Sequence, residues 1–491
     1  MIYPDYNQVN AILEDSTYRR IPVSREIYSD RMTPITVLKT LQNVSHHCFI
    51  LESAEPSQKW GRYTFLGYDP ILELSCKDGT LTIKSGTKVT EQSSHPGERI
   101  RRIIAENQAP RIEGLPPFTG GLVGYFSYDY IKYAEPSLKL NAKDEDSFKD
   151  VDVMLFDKII AFDHYRQKII LIVNMQTEQP RANYNRAVME LSSMEHLLES
   201  GRPAEHAPLK LHSPFRELFN KEEYCKMVEQ GKRHIREGDV FQVVLSNRLD
   251  ADASGSLLDA YRVLRTTNPS PYMFYFSSDD VEIAGASPET LVKLEDGILH
   301  TFPLAGTRPR GTTKAEDAQL EEELLCDEKE KAEHNMLVDL GRNDIGRISR
   351  IGSVEVESYM NVEKFSHVMH IGSTIHGEIS ADKDAVDAVD AILPAGTLSG
   401  APKIRACQII NDLENNKRGI YGGAIGYIDF TGNLDTCIGI RLAFKKNGRV
   451  FIRSGAGIVA DSVPEKEYQE CRQKAQAVLN AVQTAEGGLE I

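Results

Sequence analysis

The sequence predicts an α+β fold in which large antiparallel or mixed β-sheets are flanked by helices. Short β-branched and aromatic segments separated by glycine-containing turns dominate the first part of the chain, whereas helical and strand-like segments alternate in the second part. Residues 197–216, which contain three prolines, separate the two parts and are typical of a linker. We therefore expect an N-terminal lobe over residues 1–196 and a C-terminal domain over residues 217–491.

Strands are predicted throughout the N-terminal lobe by runs of apolar residues. The strongest is the β-branched run Lys168–Met175, which is typical of a buried strand. The other predicted strands are Cys48–Ser53, Tyr63–Tyr68, Ile71–Ser75, Leu81–Ile83, Gly121–Tyr125, Val151–Phe156 and Ile159–Asp163.

The C-terminal domain begins with a predicted helix over Lys221–Glu237, and Gly238 follows as its C-terminal cap. Ala315–Asp339 is predicted as one long charged helix, and a last helix begins at Pro464. The predicted strands of this domain are Phe241–Arg248, Phe274–Phe276, Ala424–Asp429, Cys437–Lys445 and Val450–Arg453.

The charge of the chain limits its possible partners. The 491 residues include 57 basic and 72 acidic side chains, a formal charge of −15. Because phosphate groups and anionic lipids bind basic surfaces, we expect neither nucleic acid nor a membrane as a partner. A hydrophobic content of 41% is ample for a large core. A small anionic substrate stays possible, since lysines and arginines can gather in one pocket.

The sequence also indicates the compartment. The N-terminal residues show no secretory signal, and no apolar run approaches the ~18 residues that a membrane span needs. The seven cysteines are scattered and form no C-x-x-C pair, so neither a disulfide framework nor a thiolate zinc site is indicated. We expect a cytoplasmic protein with buried free thiols.

Two pairs of glutamates are the most informative feature. Glu330 and Glu333 are three residues apart on one predicted helix, and Glu467 and Glu470 repeat this spacing on the last helix. Residues three apart share a helix face, so the two pairs can converge into an oxygen-rich Mg²⁺ site. A solvated charged face is the alternative, especially for the first helix.

Two glycine-rich segments are candidates for anion binding. Gly396–Lys403 lacks the spacing of a phosphate loop, so nucleotide binding there is not favoured. Ser454–Gly457 follows a predicted strand, where its backbone N–H groups can bind an anion or form a plain tight turn.

Single ionisable residues complete the candidates. Arg441 lies among small residues on one face of a predicted strand, where it can bind a carboxylate or simply point to solvent. His367 and His370 are poor zinc ligands, but either can act as an acid or base or serve a structural role. Glu289 follows a proline near a strand end and can protonate a leaving group if its pKa is raised.

Six motifs together resemble those of the chorismate-utilising enzymes, in order and spacing. The resemblance is strong over residues 217–480 and looser before them, and it is greatest to anthranilate synthase component I enzymes. The motifs are Pro303–Gly311, Asp327–Asp344, Phe365–His370, Pro394–Lys403, Tyr421–Tyr427 and Ser454–Glu470.

The resemblance implies a two-lobed α/β body with the active site between large sheets. It implies Mg²⁺ held by Glu330, Glu333, Glu467 and Glu470, next to the ring carboxylate of chorismate. Glu289 is implied as the acid for the departing hydroxyl, with His370 as the base of the aromatising step and Thr397 nearby. The implied substrate-binding residues are Gly306, Thr307, Tyr421, Arg441, Gly455, Ala456, Gly457 and Lys474.

Two positions separate the activities of this family. Aminodeoxychorismate synthases that use a covalent lysine carry it where this chain has Ala305, and relatives that activate water carry a lysine where it has Gln242. Together with His370, which the resemblance associates with the aromatising elimination of pyruvate, these differences favour the formation of anthranilate. An aminodeoxychorismate synthase subunit that works without the lysine, or a non-catalytic tryptophan sensor, are the alternatives.

The resemblance also implies feedback inhibition by L-tryptophan and a partner subunit. The implied tryptophan site comprises Glu52, Ser53, Pro271, Tyr272 and Met273. No cysteine lies in the sequence context of a glutamine amidotransferase. We therefore expect a separate amidotransferase subunit, component II, to supply ammonia from glutamine.

Overall fold

The computed structural model describes residues 2–14, 17–54, 61–364 and 368–489. The strands in chain order are β1 (Ile2–Tyr3), β2 (Arg20–Tyr28), β3 (Cys48–Glu52), β4 (Tyr63–Tyr68), β5 (Leu72–Lys77), β6 (Thr80–Ser85), β7 (Thr87–Gln92), β8 (Gly121–Phe126), β9 (Val151–Phe156), β10 (Lys158–Asp163), β11 (Lys168–Gln176), β12 (Lys210–Leu211), β13 (Arg216–Glu217), β14 (Gln242–Ser254), β15 (Tyr272–Ser277), β16 (Glu282–Ser287), β17 (Thr290–Glu295), β18 (Ile298–Thr301), β19 (Leu304–Pro309), β20 (Glu355–Lys364), β21 (Val368–Glu378), β22 (Gly400–Ala401), β23 (Ala424–Asp429), β24 (Leu434–Ile438), β25 (Leu442–Lys446) and β26 (Arg449–Ile458). The helices are α1 (Tyr6–Glu14), α2 (Pro34–Gln42), α3 (Gly97–Glu106), α4 (Ile131–Ala134), α5 (Pro180–Ser200), α6 (Lys221–Arg236), α7 (Leu258–Thr267), α8 (Lys314–Cys326), α9 (Glu328–Gly346), α10 (Ala385–Ile392), α11 (Lys403–Glu414) and α12 (Pro464–Thr484).

These strands form two large antiparallel sheets. The 14-stranded sheet has the order β1-β2-β11-β10-β4-β3-β15-β16-β25-β26-β14-β12, and β13 and β22 also pair with β14. The 12-stranded sheet has the order β19-β21-β18-β17-β24-β23-β8-β9-β5-β6-β7, and β20 also pairs with β21. The predicted α+β class is confirmed.

The apolar core lies between the sheets and beneath the helices. Phe49 and Phe274 of the larger sheet pack with Phe156 and Ile425 of the smaller one in a continuous buried cluster. Separate clusters lie under α2, α5, α7 and α12 on the larger sheet, and under α3, α9 and α10 on the smaller one. Burying one face of each helix against a sheet is what stabilises both layers.

Both parts of the chain contribute strands to both sheets, because β3 pairs with β15 and β8 pairs with β23. Residues 197–216 include the end of α5, strand β12 and the first residue of β13. The division into a lobe of residues 1–196 and a domain of residues 217–491 stays a prediction.

The predicted single helix Ala315–Asp339 is wrong, since α8 ends at Cys326 and α9 begins at Glu328. The carboxylate of Asp327 accepts hydrogen bonds from the backbone N–H groups of Lys329 and Glu330. It therefore caps a new helix, and this fixes where Glu330 and Glu333 lie.

The predicted strand Cys437–Lys445 is also wrong. Strand β24 ends at Ile438 in the 12-stranded sheet, and β25 begins at Leu442 in the 14-stranded sheet. Residues 439–441 therefore carry the chain from one sheet to the other, and Arg441 has a φ of +54° there. This left-handed backbone removes Arg441 from the alternation expected for a strand.

All seven cysteines are free thiols, and five of them are buried. Within the described ranges, no helix combines the length and the apolar character that crossing a bilayer requires.

Candidate functional site

Side chains from both sheets and from α9 and α12 meet in one groove. The residues predicted to act in catalysis, substrate binding and metal binding lie on these elements or in the segments that connect them. They are Glu289, Gly306, Thr307, Glu330, Glu333, His370, Thr397, Tyr421, Arg441, Gly455, Ala456, Gly457, Glu467, Glu470 and Lys474.

Glu289 lies in the turn between β16 and β17. Burial raises the pKa of its carboxyl to about 7, against a hydrogen bond from the Thr397 hydroxyl (3.2 Å) and the positive charge of Lys474, which both lower it. Both Glu289 and Thr397 line a small cavity of about 40 Å³. A carboxyl group with a pKa near neutral can deliver a proton at physiological pH.

His370 lies on β21, opposite β19. Its Nδ1–H donates to the carbonyl oxygen of Gly306 at 2.8 Å, and the same nitrogen lies 3.2 Å from the hydroxyl oxygen of Thr307. Burial, together with the positive charge of Arg441, lowers its pKa. The ring is therefore neutral at pH 7, and its Nε2 carries the lone pair that a base needs.

Arg441 is a largely desolvated cation. Burial lowers its pKa, and its Nη1 donates to the backbone carbonyl of Lys474 at 2.5 Å. Among the described residues, no carboxylate lies within ion-pairing distance of its guanidinium. A desolvated arginine without an acidic partner is suited to bind an anionic ligand.

A strip of backbone forms one wall of the groove. Gly455, Ala456 and Gly457 lie within β26, so the tight turn considered for them is not present. A side chain at position 455 would contact the Tyr421 hydroxyl at 3.0 Å, and one at position 457 would clash with the Gln242 amide. The methyl group of Ala456 instead packs in the core.

The two glutamate pairs lie close enough to interact electrostatically. Burial and then the negative charge of Glu330 raise the pKa of Glu333, and Glu470 of α12 adds to this effect. Burial and the charge of Glu470 also raise the pKa of Glu467, against a hydrogen bond from Ser462. The two pairs therefore interact electrostatically, and a shared Mg²⁺ site stays a prediction.

This donor set fits Mg²⁺ in its chemistry, because carboxylate oxygens are the ligands the ion prefers and crowded carboxylates gain from a shared cation. Two cations already balance part of the charge: Lys474 Nζ lies 2.6 Å from Glu470 Oε1, and Arg308 Nη1 lies 3.7 Å from Glu330 Oε1. Gly306, with a φ of +62°, lets the backbone approach Glu330 closely.

Tighter groups of potential metal ligands occur elsewhere in the described part of the chain. They are His47–Glu73–Asp279 and His234–Glu237–Asp239. Lys84 pairs with both carboxylates of the first group, and Arg405 pairs with Asp239 of the second. Protein cations therefore already neutralise these groups.

The predicted tryptophan residues meet in a second, larger cavity. Glu52, Ser53, Pro271, Tyr272 and Met273 all line this cavity of about 760 Å³ between the two sheets. Phe65 and Phe274 contribute aromatic walls. A cavity of this size and lining accommodates an amino acid with a large aromatic side chain.

The carboxylate of Glu52 is already paired. Arg265 donates to both of its oxygens, and the hydroxyl of Tyr261 donates to Oε1. A ligand ammonium group would therefore share Glu52 with Arg265. Tyr261 and Arg265 lie four residues apart on α7, and this spacing is the signal that could have revealed them in the sequence.

The two cavities share a wall. The hydroxyl of Tyr272 donates to Asp435 at 2.8 Å and lies 3.0 Å from the hydroxyl oxygen of Thr290. Thr290 follows Glu289 and lines the smaller cavity, whereas Tyr272 and Asp435 line the larger one.

Two further candidates from the sequence, Lys403 and His367, are not assigned to the groove. Lys403 of the segment Gly396–Lys403 donates to Asp344 and to the carbonyl of Ile392, so it is engaged within the protein. His367 lies outside the described residues.

Comparisons with known proteins identify the class of protein that has this fold. The model of that family, the chorismate binding enzymes, matches residues 46–480, and the chain belongs to this family.

Within the family, the chain is similar to anthranilate synthase component 1 of Acetivibrio thermocellus (45% identical, 99% of each chain) and of Aquifex aeolicus (43% identical, 96% of this chain and 97% of the relative). Its fold is similar to the crystal structure of anthranilate synthase component I from Streptococcus pneumoniae, with a TM-score of 0.76, 38% identity and coverage of 92% and 98% of the two chains. The isochorismate synthase MenF of Escherichia coli shares the fold at 19% identity, with a TM-score of 0.70 and coverage of 98% and 100%.

Proposed function

We propose that this protein is the aminase component of an anthranilate synthase, which converts chorismate and ammonia into anthranilate and pyruvate. The observation that carries the proposal is the set of contacts that hold three groups: Glu289 accepts from the Thr397 hydroxyl, His370 donates to the carbonyl of Gly306, and the largely desolvated Arg441 donates to the carbonyl of Lys474. The similarity to anthranilate synthase component 1 over nearly the whole chain supports the same activity.

The residues of the groove suit each step. Arg441 and the backbone at Gly455–Gly457 bind the carboxylates of the substrate. Glu289 protonates the departing C4 hydroxyl as ammonia adds at C2, and His370 Nε2 then takes the C2 proton as pyruvate leaves. Glu330, Glu333, Glu467 and Glu470 would hold Mg²⁺, which would supply positive charge to balance a carboxylate of the substrate.

The alternatives differ in product. Ala305 provides no covalent nucleophile, and Gln242 provides no base for water, so ammonia is favoured as the attacking group. With chorismate, Mg²⁺ and an ammonium salt, we expect blue anthranilate fluorescence together with an equal amount of pyruvate. Accumulation of aminodeoxychorismate without pyruvate would contradict the proposal.

The metal assignment has its own test. We expect Glu470→Ala to abolish turnover, because it removes one ligand of a charged substrate anchor, while tryptophan binding measured by calorimetry is largely retained. Full activity of this variant at ordinary Mg²⁺ concentrations would contradict the assignment.

We further infer that L-tryptophan inhibits the enzyme from the 760 Å³ cavity. The contact between Tyr272 and Thr290 supports communication with Glu289, and inhibition requires two states that bind tryptophan and chorismate unequally. We expect Ser53→Ala to raise the tryptophan concentration for half inhibition with little change in turnover. Unaltered inhibition would remove Ser53 from the site.

Glutamine-dependent activity is assigned to a complex with a separate amidotransferase subunit, and a cytoplasmic location suits such a biosynthetic enzyme. We expect this chain alone to use ammonium salts but not glutamine. Production of anthranilate from glutamine by the isolated chain would contradict the need for a partner.

A further inference from the structure

Arg418 is a buried arginine behind the groove, outside the residues assigned so far. The residue is 2% exposed. Its guanidinium donates to Glu414 Oε2 at 2.9 Å and Oε1 at 2.6 Å, to the carbonyl of Leu398 at 2.6 Å and to the carbonyl of Val244 at 2.7 Å. One planar group therefore connects α11, the short turn that ends at Leu398, and strand β14.

Each of these segments supports a different wall of the groove. Leu398 ends the short 3₁₀ turn Gly396–Leu398, which carries Thr397, the hydrogen-bond donor to Glu289. Val244 is the antiparallel partner of Gly457 on β26.

Arg418 also lies behind the aromatic side of the groove. Its guanidinium carbon is 4.5 Å from the ring centre of Tyr128 and 5.8 Å from that of Tyr421. The Tyr421 hydroxyl in turn approaches Gly455. Cation–π contact favours one placement of the Tyr421 ring.

Glu414 extends the same network to β26. Its Oε2 accepts from Arg453 at 2.7 Å, and its Oε1 accepts from the backbone N–H and the hydroxyl of Ser246 at 2.8 and 2.9 Å. Ser246 is the antiparallel partner of Gly455. The backbone beneath both glycines is thus fixed from the same two side chains.

We propose that Arg418 is a positioning residue, which holds the Thr397 turn, Tyr421 and the Gly455–Gly457 strand in register around the substrate. This inference rests on the proposed function. Two arginines and one glutamate are costly to desolvate, and an apolar cluster would fill the space with less penalty. What the guanidinium adds is a rigid fork of donors with fixed directions, which a lysine cannot reproduce.

The test is Arg418→Lys, which keeps the charge but cannot span Glu414, Leu398 and Val244 together. We expect kcat/KM for chorismate to fall about 10- to 100-fold, the effect of sub-ångström misplacement of reacting groups. Loosening the Thr397 turn also weakens its hydrogen bond to Glu289. The alkaline limb of the kcat/KM profile, where Glu289 loses its proton, then moves to higher pH.

Arg20→Lys is the matched control. Arg20 is 5% exposed, donates to Asn107, Asp157 and Asn174, and lies 5.5 Å from the ring centre of Phe430, so it resembles Arg418 in burial and bonding. We expect it to lower the melting temperature to a similar degree without changing kcat/KM or the pH profile.

Ser246→Ala serves if Arg418→Lys does not fold, because it removes only one hydroxyl from the network. It should give a smaller loss of kcat/KM with the same direction of shift in the pH profile. A folded variant with wild-type kinetics, or an Arg20→Lys variant with the same change, would overturn the positioning role. Absence of anthranilate formation by the wild-type chain would instead overturn the proposed function.

Discussion

Glu289 and Glu414 are both desolvated carboxyl groups close to the groove, yet the protein holds them in opposite states. Burial raises the pKa of Glu289 to about 7, and only one hydroxyl and the charge of Lys474 oppose it. Burial acts on Glu414 in the same direction, but Arg418 and Arg453 outweigh it and leave the pKa below its ordinary value.

The difference shows that burial alone does not decide what a carboxyl group does. A buried carboxyl supplied with two guanidinium groups stays ionised and fixes the backbone, whereas one supplied with a hydroxyl and a single cation can exchange a proton near neutral pH. Substitutions at Glu289 should therefore change catalysis, and substitutions at Glu414 should change stability.

The largest expected effect is on catalysis at Glu289. Glu289→Gln keeps the size of the side chain but removes the acidic group that can protonate the leaving hydroxyl. We therefore expect turnover to fall about 100- to 10 000-fold. Anthranilate fluorescence in the presence of chorismate and ammonium measures the loss. The far-ultraviolet circular dichroism spectrum should be unchanged, and turnover within tenfold of the wild type would show that Glu289 is not the acid.

Glu414→Gln should act on stability. Without the negative charge of Glu414, Arg418 and Arg453 repel each other while they are buried. Removing one partner of a buried ion pair costs about 3 kcal/mol or more in the free energy of unfolding. Thermal unfolding followed by calorimetry measures the change. An unchanged melting temperature would mean that the charge of Glu414 does not stabilise the network, and the contrast with Glu289 would then fail.

The sequence predicted most of the candidate site residues, but not where the helices and strands that carry them begin and end. The spacing of Glu330 and Glu333, and of Glu467 and Glu470, indicated shared helix faces, and in the structure the charge of Glu470 acts on Glu333; their convergence on one Mg²⁺ ion stays a prediction. The sequence does not predict the break at Asp327 because the run of charged residues continues through it, whereas in the structure the carboxylate of Asp327 caps the start of α9 with two hydrogen bonds.

Long-range contacts explain the other differences. The alternation from Cys437 onward looks like one strand, but the two ends pair with different sheets, and pairing partners cannot be recognised from a local pattern. The partners of Arg418 are equally hidden, since Val244 lies 174 residues away along the chain. Resemblance to a family supplied the roles, but not these connections.

The smallest effect concerns the dependence of stability on pH at Glu289. Its carboxyl has a pKa of about 7 in the folded protein and 4.5 as its ordinary value, so the folded state binds the proton more tightly. Stability therefore falls as the pH rises through the range from about 4.5 to about 7, by on the order of 3 kcal/mol in total at ~1.4 kcal/mol per pKa unit. Glu289→Gln abolishes this loss, so the variant should be more stable than the wild type at pH 8 and equal to it near pH 4.5. Melting temperatures measured across this range provide the check. If the difference in melting temperature between the variant and the wild type does not vary with pH, burial does not raise the pKa of Glu289, and the contrast with Glu414 disappears.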